Sequence, residues 1–411
     1  MEKKMRKSLY LSAALALTIM AGVTSSPVFA KDKAPAAETV SDKIRPFLAA
    51  AQAANTKKDY ATAIAQANLA EPLAVSPFEK FIVGQMKAVA GQGSQDNKLM
   101  LAGLEAAADS GYVSPAAASF SFLAGQLEYN NQNYIAAIKY LALAQSLGSP
   151  EPVIPLIIAD SYFKAKQTTQ GLDLLEKAFA ADAAAGRITP LDTLARAAQG
   201  ALDGNMIGEA NKWLMRSVAA YPSKTTWHDL LAIYRDRHPQ IGTQRLLDLY
   251  RLMKATGSFT NAREVGEYAE TALKGLPAEA KSAIEDAQAT GVVKALTSTM
   301  AETKSIATTR AAADRATLPS YEKQSLSAPN GKIAQGTADD LIGYKEYAKA
   351  IALYKVALQK GGVDINIVTM RLGEVYALSG DKANAKAAFA TVTGDVADIA
   401  KFWMLYADQL K

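Results

Sequence analysis

The chain has 411 residues, 49% of them apolar and 21% charged, and no cysteine. That length holds two or three ordinary domains or one long repeat array, and the apolar share excludes a disordered chain. Without cysteine there is no disulfide, thiol catalysis, thiolate metal site or lipid-modified cysteine. The formal net charge of +5 is partly local, because Lys3, Lys4, Arg6 and Lys7 stand against Glu2 in the first seven residues. The remainder is near neutral, which argues against a nucleic-acid-binding surface.

The basic stretch 2–7 is followed by an apolar run over 9–23, a polar break over 24–27, and then Val28-Phe29-Ala30. The apolar run falls short of the ~20 residues a membrane-spanning helix needs. The pattern predicts a cleavable secretory signal, cut after Ala30, and hence a periplasmic or secreted protein. Residues 31–43, rich in Ala and Lys and holding Pro35, are expected to form a flexible linker. No later stretch is apolar enough to predict a transmembrane segment after that cleavage.

From Ile44 onward one pattern recurs. It is clearest at Tyr347, Ala350, Ile351, Tyr354, Ala357 and Leu358, whose spacings of three and four put them on one helix face. Leu372, Gly373 and Tyr376 repeat it on a first helix, and Ala385, Phe389 and Val392 on a second. Ser379-Gly380-Asp381 is the turn between them. Small residues recur on first helices at Ala51, Gly84, Gly125, Ala159, Ala198, Ala338 and Gly373. They recur on second helices at Ala63, Ala137, Gly171, Ala210, Ala350 and Ala385. Tyr162, Tyr234 and Tyr376 follow on first helices, with Pro222 and Pro150 near repeat ends.

This arrangement resembles the tetratricopeptide (TPR) family, whose unit of ~34 residues is a pair of antiparallel helices. The resemblance implies an all-α, TPR-like α-solenoid of about eight or nine antiparallel helix pairs. Repeat starts fall near Ile44, Pro77, Ala118, Pro152, Leu191, Lys224, Ala262, Gly331 and Asn366. The expected division is a solenoid over 44–290, a helical linker or degenerate repeat over 291–330, and a C-terminal pair with a capping helix over 331–411. Within 291–330 a helix is expected over 292–316, with Pro319 and 327–331 as loop. The aromatics Phe402, Trp403 and Tyr406 are expected to be core of the capping helix. More narrowly, Ala278-Glu279-Ala280-Lys281, Lys360-Gly361-Gly362-Val363-Asp364, Gly380-Asp381-Lys382 and Lys401-Phe402-Trp403 resemble exported bacterial TPR proteins of unassigned function.

No motif carries chemistry. The two histidines, His228 and His238, form no HExxH pair. Ser161-Tyr162-Phe163-Lys164 matches SxxK, but its partner motifs are absent, and no GxSxG occurs. Asp339-Asp340 reads as charge at a helix N-terminus. Arg235, Arg237, Arg245, Arg251 and Lys254, interleaved with Asp229, Asp236 and Asp248, read as a solvated, largely neutralised helix face. No catalytic, cofactor or metal residue is assigned, and the protein is not expected to be an enzyme.

In TPR proteins the first helices line a concave groove. Carried onto this chain, the resemblance implies Gln52, Phe122, Gln126, Tyr129, Leu156, Asp160, Phe163, Gln199 and His228 as candidate groove residues. Amide and aromatic groups suit an extended or helical protein segment. The expected function is therefore an exported, non-catalytic scaffold or adaptor with a protein or peptide partner. The alternative is an accessory or catalytic factor in cell-wall or envelope polymer metabolism that uses the repeats as a substrate platform.

Overall fold

The structure is a computed structural model and describes residues 38–410. The expected signal and its cleavage point, and residues 31–37 of the expected linker, lie outside the described residues. Twenty α-helices and no strand are present among those described. Eighteen of the helices form nine antiparallel pairs, seven before and two after a single long helix, the expected TPR-like α-solenoid architecture. The described residues divide into two compact units, 38–175 and 176–410.

In the first unit α1 (Arg45–Thr56) pairs with α2 (Tyr60–Ala70), and α3 (Pro77–Ser94) with α4 (Asn97–Ala108). The next pairs are α5 (Pro115–Asn130) with α6 (Tyr134–Ser146), and α7 (Ile154–Lys164) with α8 (Thr168–Ala184), whose end enters the second unit. All thirteen small positions named from the sequence are buried, because each sits where two helices cross. The closest approach is between α3 and α4. A Cβ on Gly84 would lie 2.4 Å from the backbone nitrogen of Ala107, and one on Gly103 2.2 Å from that of Ala88. Apolar clusters are shared from one pair to the next. Leu48, Ala51 and Ala67 join Val83 and Met86, and Ala137, Leu141 and Ala144 join Ile154 and Ile157. Each pair thus covers the face its neighbour leaves bare.

The turns within seven of the nine pairs share one conformation. Lys58, Gln95, Gln132, Lys166, Asn205 and Lys345 all take a left-handed backbone, with φ between 56° and 66°. Only Gly380 supplies a glycine at this place. A following Asp59, Asp96 or Asp381 then caps the next helix with its carboxylate. Packing also reaches into the segment expected as linker. Ser41, placed in the linker by the sequence, donates from its nitrogen (3.0 Å) and its hydroxyl (2.7 Å) to Glu79, and Ile44 is fully buried.

The second unit contains α9 (Leu191–Asp203) with α10 (Ile207–Ala220), α11 (Lys224–Arg237) with α12 (Thr243–Ala255), and α13 (Ala262–Leu273) with α14 (Pro277–Ala289). The single helix α15 (Ser298–Ser327) follows. Then come α16 (Lys332–Gly343) with α17 (Tyr347–Lys360), α18 (Ile365–Leu378) with α19 (Lys382–Phe389), and α20 (Ala397–Gln409). Residues 291–330 therefore lie inside one compact unit.

Helix α15 corrects the expectation of a loop at Pro319. It runs on through that proline to Ser327. An internal proline costs about 3 kcal/mol. The buried stripe Met300, Thr303, Ala307, Ala311, Leu318 and Ser325 continues across it, and packing on α14 and α16 offsets the cost.

Helix α20 does more than cap. It packs on α18 and α19 and also reaches α10 and α12. Trp403 Nε1 donates to the carbonyl of Asp248 (3.2 Å), Trp227 Nε1 to Gln409 (3.2 Å), and Gln409 to the carbonyl of Val218 (3.3 Å). The Phe402 ring meets Tyr234 edge-on at 5.0 Å. The second unit is thereby closed on itself, with its end seated on its early helices.

Candidate functional site

In the first unit the candidate groove residues fall on first helices, as the sequence placed them: Gln52 on α1, Phe122, Gln126 and Tyr129 on α5, and Leu156, Asp160 and Phe163 on α7. All seven are half-buried. Phe122 and Tyr129 pack on the cluster of Ala137, Leu141 and Ile157, so their rings are fixed by the core beneath. The Tyr129 hydroxyl donates to Asp160, linking α5 to α7. Tyr134 meets the Tyr129 ring edge-on at 5.8 Å. Phe163 differs from the rest. Its ring lies against Gly171, where an added Cβ would come within 2.5 Å, so it fills the crossing of its own pair.

The remaining two candidates lie in the second unit. Gln199 is exposed and bonds Asp203 one turn away (2.8 Å). His228 is held by Glu264 (2.9 Å) and faces Thr260 (3.3 Å), a local lock between α11 and the start of α13. His238, the other histidine, stacks on Tyr234 at 4.1 Å and bonds the Tyr234 carbonyl through Nδ1 at the C-terminal end of α11.

Below the α5 face, α4 and α5 bring two carboxyls together. Burial and the facing Glu128 push Glu105 up to about 7. Glu128 also accepts from Asn133 (2.6 Å), and nearby Asp109 accepts from Lys139 (2.8 Å) and Tyr140 (3.0 Å). Glu128, Asn133, Tyr134, Ile135 and Lys139 line an open cleft of about 860 Å³ at this end of the pair.

The strongest polar feature was not legible from sequence. At the centre of the second unit, Arg251 of α12 takes Glu279 of α14 in a two-point pair (2.8 and 2.7 Å) and Asp248 at 3.0 Å. Arg371 of α18 donates to Asp248 (2.9 Å), to Asp339 of α16 (2.8 Å) and to Gln244 (2.7 Å). Tyr268 donates to Glu279 (2.7 Å), and Tyr354 to Asp339. Glu374 of α18 is fully buried. Its nearest cation is Arg251 at 3.7 Å, and neither carboxyl oxygen has a hydrogen-bond partner.

Two sequence expectations are corrected here. Arg251 and Asp248 are core residues, not part of a solvated face. Asp339-Asp340 sit in the second half of α16 and not at its N-terminus. Burial and the neighbouring carboxylates Asp314 and Asp339 push Asp340 up to about 7. Burial raises Glu374 well above the ordinary carboxyl range, with Asp248 adding to the effect. Burial also works against Glu279, but the charge of Arg251 holds it below its ordinary value.

A cavity of about 250 Å³ adjoins the cluster, lined by Arg251, Lys254, Tyr268, Glu279, Asp286 and Tyr347 among others. Its polar groups are matched to one another. Lys254 bonds Asp286 (2.8 Å) and Ser282 (2.5 Å). Among the described residues no group of three or more His, Asp or Glu side chains is placed to hold a metal ion, and no helix is long and apolar enough to cross a membrane.

No protein-family model matches the chain, and no curated protein matches it. Solved structures do. Yeast Tom70 is 11% identical, with 89% of this chain and 95% of that one covered at a TM-score of 0.23. The APC/C hetero-tetramer Cut9-Hcn1 is 12% identical, with 90% and 96% covered at 0.21. Naa15/Naa10 bound to HypK-THB is 13% identical, with 85% and 63% covered at 0.20. Scores this low say nothing about what this chain binds.

Proposed function

We propose that the chain is an exported, non-catalytic scaffold or adaptor that holds a segment of a partner protein along the first-helix face of its first unit. The observation that supports this reading most is the pair of neighbouring helices α5 and α7. They carry Phe122, Gln126, Tyr129, Leu156 and Asp160, all half-buried, with the Tyr129–Asp160 bond fixing one helix to the other. Rigid aromatic rings beside amide and carboxylate groups give a bound segment apolar contact and backbone hydrogen bonds without ordering cost on the scaffold side. Export to the periplasm or beyond rests on the basic, apolar and small-residue pattern of residues 2–30.

The test is a photo-crosslinker at Gln126 in intact cells, with a second at exposed Lys323 on α15 as control. Gln126 is preferred to Tyr129, whose ring and hydroxyl are engaged in packing. One dominant protein captured from Gln126 and not from Lys323 supports the reading. Equal, diffuse labelling from both positions sinks it.

A further inference from the structure

The buried cluster of the second unit is unbalanced in charge. Asp248, Glu279, Asp339 and Glu374 are four carboxyls, each at most 8% exposed, against two guanidiniums, Arg251 and Arg371. The guanidinium donors are aimed at three of the four acids. Arg251 serves Glu279 and Asp248, and Arg371 serves Asp248, Asp339 and Gln244. Tyr268 and Tyr354 donate to Glu279 and Asp339. No donor is aimed at Glu374.

The other elements packed on α18 bring nothing to offset a charge there. Beyond Tyr354, α17 buries Ala350, Leu353 and Ala357. Helix α19 buries Ala385 and Phe389, and α20 buries Ile399, Ala400, Phe402, Trp403 and Ala407. An ionised carboxylate without a donor in such a place is expensive, whereas the neutral acid is tolerated.

Glu374 also sits at the joint that closes the unit. The Arg371–Asp248 bond spans 123 residues of chain and ties α18 to α12. Trp403 of α20 is anchored on the carbonyl of the same Asp248, so α18 and α20 both rest on Asp248, whose carboxylate opposes a charge on Glu374.

We propose that Glu374 is a proton-controlled clasp. Carrying its proton, it lets α18 and α20 seat on α12 and close the second unit. Losing it adds a negative charge beside Asp248, Glu279 and Asp339 whose nearest cation, Arg251 at 3.7 Å, already serves two of those acids, and that seat loosens. The sign follows from linkage. The closed form binds one more proton than the opened form, so closure is fully favourable below the ordinary glutamate value of 4.5 and weakens as pH rises toward the higher value of the closed form. Within that window the opening equilibrium should grow about tenfold per pH unit for one proton.

Amide exchange of α12, α18 and α20, corrected for intrinsic base catalysis, reads this from acidic into mildly alkaline conditions. The wild type should show the added tenfold dependence, and Glu374→Gln, which is neutral at every pH, should lose it. An independent readout is infrared. The wild-type-minus-variant spectrum should contain the carbonyl band of a protonated carboxylic acid at neutral pH. Should the variant fail to fold, the wild type alone decides, since its exchange must quicken about tenfold per pH unit while the acid band persists, and level off only where that band fades. An unchanged slope in Glu374→Gln overturns the proposal. So does a missing acid band, or an acid band that fades well before the quickening levels off.

Discussion

Gly84→Ala tests the reading of the first unit at the close crossing of α3 and α4. The new Cβ would stand 2.4 Å from Ala107 nitrogen and 2.8 Å from the Gly103 carbonyl oxygen, where ordinary contact begins near 3.4 Å. Both obstacles are backbone, so no side chain can rotate away. The helices α3 and α4 must part by about 1 Å, and a gap of that size forfeits a quarter to a half of the dispersion energy of the atoms it separates. Leu104, Ala107 and Ala88, all buried, lie along this seam. Overpacking of this kind costs about 1–3 kcal/mol, and rigid backbone on both sides places it at the upper end. The better helix propensity of alanine returns about 1 kcal/mol. The expected net loss is roughly 2 kcal/mol. Urea unfolding followed by far-ultraviolet circular dichroism measures it as a lowered midpoint at unchanged slope. Gly336→Ala is the counterpart. That glycine is exposed in the middle of α16 with nothing within 4 Å of a new Cβ, so the change should stabilise by about 1 kcal/mol. Gains of equal sign at both positions would refute the claim that helix crossing, rather than helix propensity, dictates the small residues.

Arg371→Met strips Asp248 and Asp339 of a buried cation and should cost about 3–5 kcal/mol, read as early melting of the second unit with the first unit unaffected. Hydrogen bonds from the Ser41 hydroxyl and nitrogen, and from the nitrogens of Ser76 and Val75, hold Glu79 down to about 2. Its contribution is therefore present above 4.5 and is lost as pH falls through about 2. Glu79→Gln should be less stable than wild type at neutral pH, and the difference should vanish in strong acid. Glu105 has the opposite sign. Its contribution is complete below 4.5 and is lost as pH rises through about 7, so Glu105→Gln should flatten the decline of first-unit stability over that interval.

The helix pairs were legible in the sequence because close crossing admits only Gly or Ala, and that demand recurs at a fixed place in each pair. Gly103 escaped notice because the second pair spans a longer repeat than its neighbours and shifts the spacing. The left-handed turn residues escaped because Lys58, Gln95 and Lys345 are ordinary polar side chains whose strain is borne by the packing on either side. Pro319 misled because local rules end a helix there, while the buried stripe on both sides carries it through. The ion cluster was beyond sequence reading for a different reason. Asp248 and Arg371 are 123 residues apart, and each alone looks like solvated charge. On the candidate groove, sequence placed the residues on the correct helices. It could not tell that Phe163 turns into its own pair, since that depends on the bare face of Gly171.

The return of α20 to α10 and α12 bears on how the second unit is made. An open repeat array gains stability one neighbour at a time, and its early repeats can settle before later ones exist. Here Val218, Trp227 and Asp248 wait for partners at Gln409 and Trp403. The first unit can consolidate on its own, but the second can finish only when the chain as far as residue 409 is free to fold. Contacts of such long sequence separation slow folding. They also couple the closing helices to the early ones, so loosening at the C-terminal end weakens α10 and α12 as well.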